Sequence, residues 1–378
     1  MNVSEEMKRA LDLCKENEWG KARRIFSRLA KKGVKEAQFN LGLIYANGYD
    51  SKPDLARAVK WYTRSADQGM PEAQVNLGAF YLEGVEVEKD LSRAFSLFQA
   101  AADSGYAMAQ LHLGVMYEQG LSVEKDVSMA LSWYRSAADQ DYPEACLALA
   151  RMYSEGIGVR KSETVAINYL EKAAKLDFYP AYEILGTLYY YGEGVHQSDR
   201  KAFEYYQKAA EKGSPEAQTA LGMMYMEGEG VQKCPEMGVA WFRLAAVQGD
   251  MNAVLNLALA YEFGNGVEQD YAEAAKLYEV SGNLGNSDAL CNLGDMYEKG
   301  RGVDQDFEKA WHYYSKSADL GNYLAVCSLG DMYLLGEGRP ASREKAVELY
   351  TESARHGCEE AVEELRKLDE PIPQVLNE

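Results

Sequence analysis

Tyrosine stands at positions 45, 81, 117, 153, 189, 225, 261, 297 and 333, a step of 36 residues each time with no insertion or deletion. Leucine stands four residues before each of them, from Leu41 to Leu329, and alanine eight before, from Ala37 to Ala325. Glycine stands three after each, from Gly48 to Gly336. A fixed period of this length marks a repeat array, whose units bury a continuous core only by stacking on one another. It overrides the two or three globular domains that a chain of 378 residues would otherwise suggest.

Each unit reads as two helices. Alanine, leucine and tyrosine spaced by four form one stripe of a first helix, which must pack on something. The glycine that follows suits a left-handed C-terminal cap. After a loop, commonly Gly-x-Gly-Val as in Gly156–Val159, the second helix is expected to open at Asp54, Asp90, Asp126, Ser162, Ser198, Asp270, Asp306 or Ser342, all capping types in register. It continues through Ala58, Trp61-Tyr62 and Ala66 to Gly69, with equivalents in later units. A small residue follows every register leucine: Gly42, Gly78, Gly114, Ala150, Gly186, Gly222, Ala258, Gly294 and Gly330. A mid-helix glycine costs about 1 kcal/mol relative to alanine, so nine small residues in register imply a compensating gain, expected to be the close approach of a neighbouring helix.

The units run 37–72, 73–108, 109–144, 145–180, 181–216, 217–252, 253–288, 289–324 and 325–360. Residues 1–36 are expected to supply an N-terminal capping helix pair, and 361–378 the end of a closing helix that starts near residue 358, followed by a loose tail from Pro371. The fold class is therefore all-α.

The net charge is −19. Residues 1–36 carry 10 basic and 6 acidic side chains, which leaves 30 basic and 53 acidic on the rest. So acidic a surface repels a phosphate backbone, which argues against nucleic acid and in favour of a basic protein partner or none steered by charge. No apolar run is long enough to span a bilayer, and the first twenty residues have no signal-peptide core. A cytoplasmic protein is the expectation, or a periplasmic or secreted one if a signal segment has been removed. The six cysteines form no CxxC and no pairing at metal-ligand spacing, in keeping with a reduced compartment and no metal.

The pattern Ala-x3-Leu-Gly-x2-Tyr-x2-Gly-x-Gly-Val-x2-Asp-x3-Ala-x2-Trp/Tyr-Tyr-x3-Ala-x2-Gly resembles the Sel1-like repeat family, relatives of the tetratricopeptide repeats. The departures are small: Asp141 and Asp177 replace the inter-repeat glycine, Gly238 replaces an alanine, and Cys234-Pro235 occupies one capping slot. The resemblance implies a right-handed α-solenoid that acts as a scaffold or adaptor in protein–protein interaction, in bacteria among other settings, with no cofactor and no catalytic residues. It also brings alternatives: a β-lactam-binding or hydrolysing enzyme like the cysteine-rich branch of the family, whose paired cysteines this chain lacks, or an envelope, host-interaction or immunity factor.

Signals for catalysis have plainer readings. Ser198-x-x-Lys201 and Ser342-x-x-Lys345 match the nucleophile motif of penicillin-recognising enzymes, but both serines fall in the capping slot. The Gly-x-Gly loops follow a helix rather than a strand, so they read as turns and not as phosphate cradles. His112, His196, His312 and His356 occupy four different slots and build no metal site.

The resemblance places the first helices on a concave wall. Counting from the register alanine at about 100° per residue, positions 4, 7, 8 and 11 face the core, while 2, 3, 6, 9 and 10 face the groove or the adjacent repeat. The third slot holds Asn40, Asn76, His112, Asn256 and Asn292. Asparagine is a poor helix former, so the row asks for a reason: its amides could clamp the backbone of an extended peptide, or could bond between helices and set the repeat step. The second slot (Phe39, Val75, Leu111, Leu147, Leu255) is apolar and open to the same two readings. Tyr191 stands where five of the eight other units carry Glu, Gln or Asn and Tyr190 where three carry Glu, and the two are the strongest candidates for a contact site.

Overall fold

A computed structural model describes residues 2–376, all helix, turn or coil among the described residues. In chain order the helices are α1 (Val3–Lys15), α2 (Trp19–Lys31), α3 (Lys35–Asn47), α4 (Leu55–Ala66), α5 (Pro71–Glu83), α6 (Leu91–Asp103), α7 (Ala107–Gln119), α8 (Val127–Ala138), α9 (Pro143–Glu155), α10 (Glu163–Lys175) and α11 (Tyr179–Tyr191). They continue as α12 (Asp199–Glu211), α13 (Pro215–Glu227), α14 (Pro235–Val247), α15 (Met251–Phe263), α16 (Tyr271–Asn283), α17 (Ser287–Lys299), α18 (Phe307–Asp319), α19 (Tyr323–Leu335), α20 (Arg343–Arg355) and α21 (Glu359–Lys367). The chain divides into two compact units, Met1–Ala181 and Tyr182–Glu378. Within each, a first helix packs most extensively on the second helix of its own repeat and then on the second helix of the repeat before. First helices also touch the next first helix, as α5 touches α7 and α19 touches α21.

The start and stop signals of the sequence take the expected form. Eight of the nine capping residues accept the backbone N–H three residues on, from Asp54 (Arg57 N, 2.9 Å) to Ser342 (Lys345 N, 3.4 Å). The ninth, Cys234, makes no side-chain cap, and Pro235 opens α14 instead with a pre-set φ and no N–H to satisfy. In all nine repeats the capping residue's own N–H donates to the register tyrosine's carbonyl, from Asp54 to Tyr45 O (2.8 Å) through Ser342 to Tyr333 O (2.8 Å). That bond latches the turn between the two helices with main-chain atoms alone. Asp141 and Asp177 hold the left-handed conformation of the glycine they replace, at φ 58° and 60°.

The small-residue slot marks the close approach of a neighbouring helix, as expected, and the group that presses on it is a ring from the second helix of the same repeat, twenty residues on. A Cβ on Gly42 would lie 2.6 Å from the Tyr62 ring; on Gly78, 2.6 Å from Phe98; on Gly186, 2.7 Å from Tyr206; on Gly294, 2.7 Å from Tyr314; on Gly330, 2.6 Å from Tyr350. Tyr62, Phe98, Tyr134, Phe242, Tyr278, Tyr314 and Tyr350 are among the most deeply buried large side chains of the chain. In the fourth repeat the small residue is Ala150, and its counterpart at 170 is the narrower Leu170. Ala258 opposite Tyr278 is the exception, and nothing in the structure explains it.

Buried polar side chains tie helix to helix. Ser65, Ser281, Ser317 and Ser353, each inaccessible to solvent, donate to main-chain carbonyls thirty residues earlier (Lys35, Met251, Ser287 and Tyr323) at 2.6–2.8 Å. Gln38 donates to Ala30 O and accepts from Gln68, and Gln218 does the same with Ala210 O and Gln248, so each bonds both the preceding and the following second helix. The C-terminal residues from Pro371 are not helical, yet Leu376 N donates to Arg355 O at 2.8 Å, so the expected loose tail is pinned there; Asn377 and Glu378 lie outside the described residues.

The Gly78→Ala variant should lose about 1–3 kcal/mol of stability, because the added methyl overpacks the Phe98 ring by more than its helix propensity returns. Gly78→Ala with Phe98→Leu, which copies the Ala150–Leu170 pair, should cost less than the two single changes added together. Urea unfolding of the four proteins checks the cycle.

Candidate functional site

The asparagine slot is half-buried and already engaged with the protein. Asn40 and Asn256 donate their side-chain amides back along their own helices, to Glu36 O (2.7 Å) and Asn252 O (2.9 Å). Asn76 and Asn292 lie against the hydroxyls of Tyr62 and Tyr278, on the second helix of the preceding repeat. Burial pushes the Tyr62 hydroxyl up to about 12, and the hydrogen bond from Asn76 opposes the rise. His112 stacks on Phe98 at 4.5 Å with the rings 8° from parallel, and burial lowers its pKa, so its imidazole is neutral at pH 7. Asn76, His112 and Asn292 thus meet one partner slot, the deep aromatic of the repeat before. Asn40, Asn76 and His112 fall in Met1–Ala181; Tyr190, Tyr191, Asn256 and Asn292 fall in Tyr182–Glu378.

Second-slot residues face the protein: Val75, Thr219, Cys291 and Cys327 are buried, and Phe39 packs at 6.0 Å on Tyr62 of its own repeat. Tyr190 and Tyr191 part company. The two rings meet edge-on at 5.0 Å, but Tyr190 donates its hydroxyl to Glu229 at 2.9 Å, a bond that together with burial raises it to about 12. Tyr191 remains 65% exposed. The same tenth slot carries Phe263, 68% exposed, and Leu335, 66% exposed, where polar residues would be expected on a solvated face. Beside Phe263, a recess of about 250 Å³ is lined by Met223, Met226, Asn256 and Leu259. Along the row these three apolar side chains alternate with Glu227 and Lys299.

A second row escaped the sequence reading. Glutamates occupy the ninth slot of three repeats, Glu118, Glu262 and Glu298, and each accepts the hydroxyl of the deep tyrosine sixteen residues on: Tyr134 (2.8 Å), Tyr278 (2.5 Å) and Tyr314 (2.6 Å). The hydroxyls are raised by burial first and by these carboxylates second, so they stay protonated donors. Two of the glutamates also hold a guanidinium from the following repeat. Arg151 reaches Glu118 at 2.5 Å, and Arg301 bridges Glu262 (3.3 Å) and Asp295, which Lys299 also contacts. The sequence signal was the Glu–x15–Tyr spacing, hidden because the third partner sits on the next repeat at varying positions.

Ser198 and Ser342 meet the lysines of their motifs through the main chain, each Oγ accepting the lysine's backbone N–H at 3.4 Å. Lys201 lies over the Tyr189 ring (4.6 Å) and Lys345 over the Tyr333 ring (4.9 Å), while both serine oxygens serve as helix caps. The six cysteines are free thiols, and burial pushes Cys291 up to about 12, far from a reactive thiolate. Among the described residues no cluster of His, Cys, Asp and Glu could hold a metal, and no helix is long and apolar enough to cross a membrane.

Stacked helix pairs with a polar-apolar first-helix face define an α-helical repeat protein of the interaction-scaffold type. The sequence model of the Sel1 repeat matches nine times in tandem, at residues 35–70, 71–106, 107–142, 143–178, 180–214, 215–250, 252–286, 287–322 and 324–358, and the chain belongs to that family. A crystal structure of a Sel1 repeat protein from Oxalobacter formigenes is 33% identical, with 82% of this chain and 89% of that one covered and a TM-score of 0.59. A protective antigen of uropathogenic Escherichia coli strains, displaying an SLR fold, is 29% identical over 98% of this chain and 90% of its own, with a TM-score of 0.48. The tetratricopeptide-repeat sensor protein of the signal-transduction ATPase class from Pyrococcus horikoshii shares the fold at 17% identity, with 88% of this chain and 54% of that one covered and a TM-score of 0.53. No curated protein matches the chain.

Glu262 is only 6% exposed and serves two donors, so Glu262→Ala should cost about 2–4 kcal/mol by stranding both Tyr278 and Arg301. Glu298→Ala, which strands Tyr314 alone, should cost about 1–2 kcal/mol. Guanidinium-free urea titrations of both variants measure the difference; equal losses would remove the arginine from the account.

Proposed function

We propose that the protein is a non-catalytic scaffold that holds a peptide or protein segment along the face of its first helices. The observation that supports this reading is the row of large exposed apolar side chains in the tenth slot, Tyr191, Phe263 and Leu335, with Met223 and the recess beside Phe263. Burying one such side chain against a partner contributes about 1.5–3 kcal/mol, so a few of them suffice for micromolar capture once the cost of association is met. The acidic surface of the chain after residue 36 favours a segment carrying basic residues. The asparagine slot contributes at its rim: Asn256 lines the recess, where its side-chain oxygen can accept an N–H from a segment seated there.

A photo-crosslinking residue placed at Tyr191 should trap a partner in cells, and the Phe263→Ala background should reduce the yield several-fold while the melting temperature stays near wild type. The same probe at Glu204, exposed on a second helix, should trap little. Equal trapping at 191 and 204 would sink the first-helix site. The variants Asn256→Ala and Asn76→Ala separate the two roles of the asparagine slot: loss of capture at unchanged stability supports recognition, and loss of stability supports packing.

A further inference from the structure

In two of the nine repeats the residue twenty after the small slot is phenylalanine, Phe98 and Phe242. Neither has a hydroxyl to donate, and the residue sixteen before each is apolar, Leu82 and Met226, where Tyr134, Tyr278 and Tyr314 meet glutamates. The two repeats differ in what lies against the ring. Phe98 is covered by the imidazole of His112, fourteen residues on, stacked at 4.5 Å and 8° from parallel. The residue fourteen after Phe242 is Asn256, whose amide turns back along its own helix to Asn252 O at 2.9 Å. There the recess of about 250 Å³ opens, with Phe242, Met226 and Asn256 all in its lining. The same place in the repeat thus holds an aromatic ring in one case and stands open in the other.

The walls suit a ring. Gly238 stands where every other repeat carries alanine, and a Cβ there would lie 2.8 Å from the sulfur of Met226, so the methionine settles into the room that the missing methyl leaves. Phe263 and Met223, both exposed, form the outer part of the lining. Ring faces and thioether sulfurs attract an aromatic side chain beyond what its buried area contributes. The Asn256 nitrogen is bound to its own helix, and its oxygen remains an acceptor on the wall. The volume falls below the about 300–1,000 Å³ of small-molecule sites and suits a single large side chain. At the rim stands the exposed carboxylate of Glu227.

We propose that this recess is the binding site for an aromatic side chain, tryptophan or tyrosine, of a partner protein segment. Its ring takes the place against Phe242 that His112 takes against Phe98, and its N–H or O–H donates to the Asn256 oxygen. A basic residue beside it in the segment faces Glu227, in keeping with the acidic surface around it. This inference rests on the scaffold reading above and names the anchor that the first-helix face takes up.

The test uses random peptides displayed against the full chain, in wild type and in Asn256→His. Wild type should select peptides that share a tryptophan or tyrosine; exchanging it for leucine should weaken the best of them several-fold, and for alanine about tenfold or more. Asn256→His, which supplies the covering ring from the chain itself, should weaken the same peptides about tenfold with a melting temperature at or above that of wild type. Phe263→Ala should also weaken them at an unchanged melting temperature, and it carries the test if Asn256→His fails to fold. Peptides that accept leucine without loss, or that bind both variants as tightly as wild type, overturn the aromatic site; if Tyr191→Ala releases those peptides, the scaffold reading still stands. If wild type selects no peptide, both readings fall, and stabilisation by free N-acetyltryptophanamide would then assign the recess to a small aromatic molecule.

Discussion

An aromatic ring pressed on a glycine closes the helix pair in seven of the nine repeats, and the rest of the structure depends on it. With no Cβ at Gly42, Gly78 or Gly330, the ring from the second helix presses directly on the first, and the two helices approach more closely than side chains would otherwise allow. The ring spends its apolar area inside the repeat. Where it is tyrosine, its hydroxyl emerges at the far edge, among Asn76, Glu118, Glu262, Glu298 and Asp331. The same residue therefore builds the core and sets the chemistry of the face above it.

Much of this was legible in the sequence because it is local and repeated. Helix boundaries, left-handed glycines and capping aspartates each follow from a few neighbouring residues, and the period multiplies the signal nine times. The small-residue slot was legible as the close approach of a neighbouring helix, but not which side chain makes it. The partner shows in the pairing of Ala150 with Leu170 where seven other repeats pair glycine with an aromatic, a correlation at twenty residues that crosses from one helix to the other.

The site was less legible, for a physical reason. A side chain's exposure on a repeat face depends on what the next repeat places over it. Tyr190 and Tyr191 are adjacent and chemically identical, yet a glutamate from the following loop holds one and leaves the other in solvent. Phe263 and Leu335 fall in a slot that is polar in most repeats, which a count over all nine dilutes. The glutamate row needed two partners to be seen together, one sixteen residues away and one on the neighbouring unit.

The bond from each capping residue's N–H to the register tyrosine's carbonyl has a wider consequence. It closes the turn without using a side chain, and it is present even where Cys234-Pro235 interrupts the usual capping chemistry. Frame and surface are thereby uncoupled: substitutions on the exposed first-helix slots leave the hinge between the helices intact. In a chain built in this way the surface can vary from unit to unit, with each unit's exposed side chains set jointly with its neighbour, while the geometry of the turns is kept.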